Sequence, residues 1–180
     1  MLPAHSGDVL ELDKVWSFVK RRKNKRWLWI ALCRRTKQVV AYFIGDRSEA
    51  SCEKLWVLIP ENYKNLCSYS DFWGAYKNVF PKETHRSVGK ESGQTNHVER
   101  WNNTLRQWVS RYTRKTLSFS KSDEFHRIVT HLFIRKYNLN RTFQFLPLPK
   151  IERRDAVHEK LLIGTGLNDS QIGCTQFCPL

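Results

Sequence analysis

The sequence lacks the features that mark membrane-spanning and secreted proteins. No stretch approaches the roughly 20 consecutive apolar residues that a membrane-spanning helix needs. The N-terminus has no basic region followed by an apolar one, which argues against a secretory signal peptide. The five cysteines are odd in number and scattered, so we expect reduced thiols in a cytosolic protein. Cys174 and Cys178 lie close together without a second pair of ligands, which argues against a zinc site.

Acidic residues are also scarce, and the charge balance indicates the kind of partner. The chain has 31 Lys and Arg residues against 17 Asp and Glu residues, a formal net charge of +14. This charge favours a polyanion, because each phosphate contact releases condensed counterions. A membrane surface is the other candidate, but the sequence has no basic amphipathic helix of the kind that lies on membranes. We therefore expect a nucleic acid as the partner and no membrane.

Hydrophobic periodicity predicts the elements of the fold. Alternating apolar residues predict a strand at 9–19, a continuous apolar run predicts a buried strand at 27–34, and a third strand follows at 39–44. Short polar turns join the three strands, which indicates an antiparallel meander. Helical spacing at 51–59 ends at Pro60, and the next predicted elements are a strand at 66–69, a helix at 73–80 and a strand at 85–88. Two helices follow, with apolar stripes formed by Val98, Trp101, Leu105, Trp108, Val109 and Tyr112, and by Phe125, Ile128, Val129, Leu132, Phe133 and Tyr137.

The predicted order, β-β-β-α-β-α-β-α-α, gives an α/β fold with a mixed five-stranded sheet flanked by helices. This is the order of the ribonuclease H-like fold, in which the first and fourth strands lie side by side at the sheet centre. Asp13 and Asp71 would then be neighbours, because each lies at or near the end of one of these strands. We expect the domain to span 1–142 and a poorly ordered tail to follow at 143–180.

Three acidic residues occupy ordered contexts in this basic chain. Asp13 lies in VLELDKVWSFV, Asp71 in SYSDFWGAY, and Glu99 in the helical stretch TNHVERWNNTLRQ. Cleavage of a phosphodiester must stabilise charge on the attacking and leaving oxygens, which two divalent ions do. Mg²⁺ and Mn²⁺ prefer oxygen ligands, so Asp13 would bridge two ions, Asp71 would hold one and Glu99 the other. The sequence therefore predicts a metal-dependent enzyme that acts on nucleic-acid phosphodiesters.

Each carboxylate also has an ordinary structural interpretation. Asp13 could serve as a strand-end residue or pair with Lys14, although Asp is disfavoured inside strands. Asp71 could cap the turn into the following helix. Glu99 could be a first-turn acid that suits the helix dipole. Glu11, on the same strand face as Asp13, is a weaker alternative ligand.

Basic side chains offer contacts to a nucleic-acid backbone. Arg106 lies two turns after Glu99 on the same helix face, where it would contact a phosphate or remain a solvated surface charge. The basic turn at 20–26 is either a solvated hairpin or a backbone contact. The candidate DNA-binding residues are Arg22, Lys23, Lys25, Arg26, Arg106, Arg111, Arg114 and Lys115.

Several stretches resemble the transposases of the insertion sequence one family, a bacterial mobile-element group of the DDE type. They are ELDKVWSFV with the following KNKRWLWIAL, VVAYFIGDRS, SDFWGAY, HVERWNNTLRQ and RKTLSFSKSDEFH, and together they cover roughly residues 9–140. The resemblance places the acidic triad of that family on Asp13, Asp71 and Glu99. It implies Mg²⁺-dependent cleavage and strand transfer at the inverted-repeat ends of the element. It also implies self-association in a synaptic complex and a cytoplasmic, nucleoid-associated location.

The same resemblance implies that a further part completes the enzyme. The full transposase of the family resembles a fusion in which a translational frameshift adds an upstream zinc-binding and helix-turn-helix part that recognises the element ends. This chain resembles the downstream frame alone, and its tail after residue 142 matches nothing in the family. Two alternatives stay open: a ribonuclease H-like nuclease, and a catalytically silent fragment that binds DNA through its charge. Strand joining would separate the transposase from both.

Overall fold

The structure, a computed structural model, describes residues 1–113 and 115–145. Within these ranges the strands are β1 (Val9–Phe18), β2 (Lys25–Cys33), β3 (Val39–Gly45), β4 (Cys67–Ser70) and β5 (His85–Ser87). The helices are α1 (Glu49–Leu58), α2 (Glu61–Lys64), α3 (Gly74–Val79), α4 (Asn96–Trp108) and α5 (Asp123–Phe145), and 3₁₀ turns occupy Lys90–Ser92 and Ser110–Tyr112. The periodicity therefore predicts every one of these strands but misses α2, a single helical turn after Pro60.

Strand β1 lies at the centre of a five-stranded sheet with the order β3-β2-β1-β4-β5. It pairs antiparallel with β2 and parallel with β4, in a register that sets Glu11 opposite Tyr69. The mixed sheet flanked by helices is confirmed, and so is the predicted contact between the first and fourth strands. Asp13 on β1 and Asp71 after β4 each lie two residues beyond this last paired position. The register therefore brings the two aspartates to the same level of the sheet.

The two faces of the sheet bury two hydrophobic clusters, and β1 contributes to both. Leu12 packs with residues of α1 and α3 on one face, whereas Val15 packs with residues of α4 and α5 on the other. Successive side chains of a strand alternate between faces. Glu11 and Asp13 therefore share the α4 face with Val15, and Lys14 shares the α3 face with Leu12.

The apolar stripes predicted for the last two helices are partly wrong. Four residues predicted to be buried are exposed: Trp108 (66%), Phe125 (59%), Ile128 (43%) and Leu132 (57%). Helix α4 ends at Trp108, while α5 turns His126, Thr130 and Ile134 inward. The Tyr112 hydroxyl lies 2.7 Å from the Thr130 hydroxyl and 3.3 Å from His126 Nε2. A buried polar network thus takes part of the inward face of α5, beside Val129, Phe133 and Tyr137, which pack against the core. A search for apolar periodicity cannot detect the polar part.

The predicted tail at 143–180 lies mostly outside the described residues. Residues 143–145 continue α5, which ends at Phe145. Cys174 and Cys178 also lie outside the described ranges. Among the described residues, no helix combines the length and the apolar character that crossing a membrane requires.

Candidate active site

A cleft of about 310 Å³ opens where β1, the end of β4 and helix α4 meet. Its lining residues are Leu12, Asp13, Lys14, Asp71, Val88, Lys90, Thr95, Glu99, Asn102, Asn103 and Arg106. The structure therefore brings the three predicted carboxylates to one cleft. It also places Arg106 there, as its shared helix face with Glu99 predicts.

Asp13 is held between its own strand and helix α4. Its Oδ1 accepts a hydrogen bond from the Lys14 backbone N–H at 2.7 Å, and its Oδ2 accepts one from Asn102 Nδ2. Burial raises the pKa of Asp13 to about 6, although these hydrogen bonds and the charge of Lys14 act in the opposite direction. A buried carboxylate of this kind gains from a nearby cation, because the cation offsets the cost of burying its negative charge.

Asp71 directly follows β4 and is exposed. Its Oδ2 lies 2.7 Å from Lys14 Nζ, and its Oδ1 accepts a hydrogen bond from the Trp73 backbone N–H at 3.2 Å. The Ser70 hydroxyl donates to the Asp71 backbone carbonyl at 2.8 Å. Asp71 thus lines the cleft and also stabilises the turn into α3. A place in the proposed metal site and a role in the turn, the two interpretations of Asp71, are therefore compatible.

Glu99 lies in the first turn of α4, where the Thr95 hydroxyl donates to its Oε1 at 3.3 Å. The position of this turn is set by Glu11, which is fully buried. Glu11 Oε2 accepts hydrogen bonds from the backbone N–H groups of His97 at 2.9 Å and Val98 at 3.0 Å. Glu11 does not line the cleft, so it anchors α4 against β1 and is not one of the cleft carboxylates.

Asn102 adds a neutral oxygen to the cleft. It is 4% exposed, and its Nδ2 is committed to Asp13. Its Oδ1 is buried and has no hydrogen-bond partner within the described part of the chain. A buried carbonyl oxygen without a partner is costly, and an arriving cation or water would satisfy it. The cleft therefore gathers carboxylate and amide oxygens, the donor types that Mg²⁺ and Mn²⁺ prefer.

Each of the three carboxylates nevertheless has a different partner within the described part of the chain. Across residues 1–113 and 115–145, no three His, Cys, Asp or Glu side chains are arranged so that they could hold a metal ion. Asp13 is bonded to Asn102, Asp71 to Lys14, and Glu99 to Thr95. The oxygen ligands are of the type that a hard divalent ion prefers, but the side chains must move to surround one ion.

The candidate DNA-binding cations lie in several parts of the chain. Arg106 lines the cleft, whereas the β1–β2 turn carries exposed cations at one end of the sheet. In that turn Arg22 and Lys23 are exposed, and Lys25 Nζ lies 5.8 Å from the centre of the Trp16 ring. Of the remaining candidates, Arg26 forms a two-point ion pair with Asp123, and Arg111 donates to the Ser120 hydroxyl. Lys115 is exposed, and Arg114 lies outside the described residues.

Sequence reasoning missed several of the lining residues. The sequence suggests Lys14 only as a partner of Asp13, and strand alternation sends its side chain to the opposite face from that residue. It pairs with Asp71 because the β1–β4 register brings Asp71 level with it. Thr95 and Lys90 lie in a stretch without periodicity, so no pattern identified them. Asn102 shares the helix face of Glu99 by its i+3 spacing, but its bond to Asp13 depends on how α4 packs.

Comparison with known proteins places this chain in a family. A family model described as IS1 transposase matches residues 9–140, which include all three cleft carboxylates. The insertion element iso-IS1n protein InsB of Shigella dysenteriae is 41% identical over 130 residues, which cover 72% of this chain and 95% of that protein. The insertion element IS1 4 protein InsB of Escherichia coli K12 is 35% identical over 129 residues, 71% of this chain and 75% of that protein. The chain belongs to the IS1 transposase family.

Proposed function

We propose that this chain is the catalytic part of a DDE-type DNA transposase. It cleaves and joins DNA strands at the inverted-repeat ends of an insertion sequence, with Mg²⁺ or Mn²⁺ as its cofactor. The observation that carries the proposal is the convergence of Asp13, Asp71 and Glu99 on one cleft in a chain of net charge +14. Membership of a transposase family supports the same function.

The sheet supports this function through its topology. Three antiparallel strands followed by two parallel ones, in the order β3-β2-β1-β4-β5, have the arrangement expected of a ribonuclease H-like fold. In this arrangement the central strand and its parallel neighbour each present an aspartate at the same level. The helix that packs across them presents the glutamate.

The reaction consists of two phosphoryl transfers. In cleavage, a water oxygen attacks a phosphorus atom of the DNA, and the bond from phosphorus to the 3′ oxygen breaks. The products are a 3′-hydroxyl and a 5′-phosphate. In joining, that 3′-hydroxyl attacks a phosphodiester of the target, a new phosphorus–oxygen bond forms, and a target 3′-hydroxyl leaves. Both transfers need positive charge beside the attacking and leaving oxygens.

Residues of the cleft would hold the metal ions and the DNA phosphate in place for these transfers. The ligands of the metal ions would be Asp13, Asp71 and Glu99, with Asn102 Oδ1 as an additional neutral oxygen. When bound, the ions supply the positive charge that the two oxygens require. Asn102 fixes the orientation of Asp13 by donating to its Oδ2. Arg106, on the same helix face as Glu99, donates to a phosphate of the bound strand.

The partners follow from the reaction. We propose that the element ends and the target DNA occupy the cleft and the basic β1–β2 turn. The chain would act as part of a synaptic complex containing at least two copies, in the cytoplasm at the bacterial nucleoid. An upstream end-recognition part, supplied by frameshift fusion, would select the element ends.

Cleavage and joining of a duplex that carries the element end tests this function. The reaction is run with Mg²⁺ and with EDTA, using this chain and the same chain fused to an upstream recognition part. Asp71→Asn and Glu99→Gln should abolish cleavage and leave DNA binding intact. Glu91→Gln is the matched control, because Glu91 is exposed and does not line the cleft. Wild-type cleavage by either cleft variant would show that the triad is wrong, and cleavage without joining would indicate a nuclease.

One observation favours a second function, that of a catalytically silent DNA-binding fragment. Asp71, a proposed metal ligand, is already paired with the Lys14 ammonium, whose Nζ lies 2.7 Å from Asp71 Oδ2. A silent fragment would bind DNA in a salt-sensitive manner and show no metal-dependent cleavage in either form of the chain.

A further inference from the structure

Lys14 places a buried positive charge at a carboxylate that the proposed metal site uses. Its side chain is 3% exposed, and its Nζ lies 2.7 Å from Asp71 Oδ2. Lys14 follows Asp13 on β1, so its side chain leaves the opposite face of the sheet. It therefore reaches Asp71 from the α3 side, whereas Asp13 faces α4.

Aromatic rings enclose the Lys14 ammonium. Its Nζ lies 5.9 Å from the ring centre of Trp29, 5.5 Å from that of Trp73 and 5.1 Å from that of Tyr76. Faces of aromatic rings attract cations, most strongly where water is excluded. The guanidinium of Arg47 in turn lies 3.8 Å from the centre of the Trp73 ring. The ammonium is thus held by a built enclosure, in contrast to a solvated lysine on a surface.

Both oxygens of Asp71 are already engaged in this arrangement. Oδ2 pairs with the Lys14 ammonium and Oδ1 accepts from the Trp73 N–H. Each carboxylate oxygen has two lone pairs, so an ion that coordinated Asp71 would share the carboxylate with the Lys14 ammonium at close range. An ion that approached Asp71 would also be repelled by the ammonium, because both are positive.

We propose that Lys14 is an internal cation that competes with a divalent metal ion for Asp71. This role rests on the proposed function, since it takes Asp71 as a metal ligand. In the metal-free chain Lys14 neutralises Asp71, and the binding of metal at Asp71 breaks the Lys14–Asp71 pair. The chain therefore binds metal more weakly than its carboxylates would without Lys14.

Mn²⁺ binding to the full chain tests this competition without requiring activity. Free Mn²⁺ is measured by electron paramagnetic resonance during titration of the wild type, Lys14→Met and Lys90→Met. Met is only one atom shorter than Lys and packs well against aromatic rings, so most of the enclosure stays filled. Lys90 lines the same cleft and forms no ion pair within the described ranges, so its replacement removes the same charge without freeing Asp71.

We expect the Mn²⁺ dissociation constant to fall by about tenfold or more in Lys14→Met, the size of effect that a close charge pair produces. In Lys90→Met it should fall by about threefold at most, because that side chain contributes only a general field. Equal or weaker binding by Lys14→Met than by the wild type would overturn the proposal. An equal gain in the two variants would also overturn it, since general charge would then explain the result.

A measurement on the wild type keeps the proposal testable if Lys14→Met does not fold. The ammonium of a buried, paired lysine exchanges its protons slowly and is visible by ¹⁵N nuclear magnetic resonance; Lys14→Arg identifies the signal by its loss. Saturating Mg²⁺ should shift or remove this signal as Lys14 leaves Asp71. A signal unchanged by Mg²⁺ would contradict the competition.

The outcomes also separate this proposal from the proposed function. Asp13→Asn and Glu99→Gln should weaken Mn²⁺ binding if these residues form a metal site. If they do so while Lys14→Met leaves the affinity unchanged, the metal site stands and the role of Lys14 fails. If no chain, including Lys14→Met, binds Mn²⁺, both proposals fail. Binding by Lys14→Met alone would be the strongest support for competition.

Discussion

Glu11 Oε2 accepts a hydrogen bond from the His97 backbone N–H at 2.9 Å, and Glu11 Oε1 lies 2.7 Å from the His97 ring Nδ1. Glu11 precedes Asp13 by two residues on β1, and His97 precedes Glu99 by two residues on α4. One buried carboxylate thus joins the strand and the helix that carry two of the three cleft carboxylates. The separation of Asp13 and Glu99 therefore depends on a residue outside the cleft.

Replacement of Glu11 should loosen this junction. Arg34 Nε also lies 2.7 Å from Glu11 Oε1. We expect Glu11→Gln to lower the free energy of unfolding by about 3 kcal/mol, because Arg34 and the first turn of α4 lose a buried anionic partner. Urea denaturation followed by circular dichroism measures the change. Glu53→Gln, at an exposed position on α1, should change the free energy by less than about 0.5 kcal/mol. Equal losses in the two variants would contradict the anchoring role.

The sequence predicted the parts of the site that periodicity and register determine. Alternation identified β1, a continuous apolar run identified β2, and the short apolar run before Asp71 identified β4. Helical spacing placed Glu99 and Arg106 on one face of α4, and both line the cleft. These predictions succeeded because each depends on a repeat within a single element.

The role of Glu11 and the inward face of α5 depend on contacts between elements, which no local pattern encodes. Glu11 looked like an alternative ligand because it shares a strand face with Asp13, yet the packing of α4 turns it into an anchor. The burial of His126 on α5 depends on the hydroxyls of Ser120 and Tyr112, which come from earlier segments. Apolar periodicity therefore assigned α5 an inward face that is partly wrong.

Arg106 should carry one phosphate contact within the cleft. We expect Arg106→Ala to reduce the slope of log affinity against log salt by about 0.9 for duplex DNA, because one phosphate contact is lost. Cleavage should fall by about 100-fold, the size expected when a donor to a reacting phosphate is removed. Fluorescence anisotropy across a salt series and a cleavage assay measure the two effects.

Arg100→Ala is the matched control for Arg106, since Arg100 is an exposed cation on the same helix that does not line the cleft. It should retain wild-type cleavage. If both variants lose cleavage to the same extent, the effect comes from the general charge of α4, and Arg106 has no special contact.

The β1–β2 turn should bind DNA without contributing to stability. Arg22 and Lys23 are both exposed, so the double replacement by Ala should leave the free energy of unfolding within about 0.5 kcal/mol of the wild type. The salt slope for DNA binding should fall by about 1.8, because two phosphate contacts are removed. The paired replacement of Lys77 and Lys82, two exposed lysines outside the candidate set, removes the same charge. An equal change in that control would show that the turn makes no direct contact.

His126 makes the stability of the chain depend on pH. Its ring is 1% exposed and lies between the Ser120 hydroxyl, 2.8 Å from Nδ1, and the Tyr112 hydroxyl, 3.3 Å from Nε2. Burial lowers the pKa of His126 from 6.5 to about 4. The unfolded chain therefore takes up a proton at a higher pH than the folded chain does. Stability is complete above about pH 6.5 and falls as the pH drops towards 4.

We expect His126 to account for a loss of about 3 kcal/mol in unfolding free energy over this interval. Urea denaturation at a series of pH values from 7 to 4 measures it. His126→Gln should be less stable than the wild type at pH 7, because the Gln amide cannot match the ring contacts with Ser120 and Tyr112. Its stability should nevertheless fall less steeply as the pH drops, since the titrating group is gone.

His5→Gln, at an exposed position, should keep the wild-type dependence of stability on pH. If His126→Gln kept the full wild-type dependence, other groups would have to cause it, and buried His85, whose pKa is also lowered to about 4, would be the next candidate.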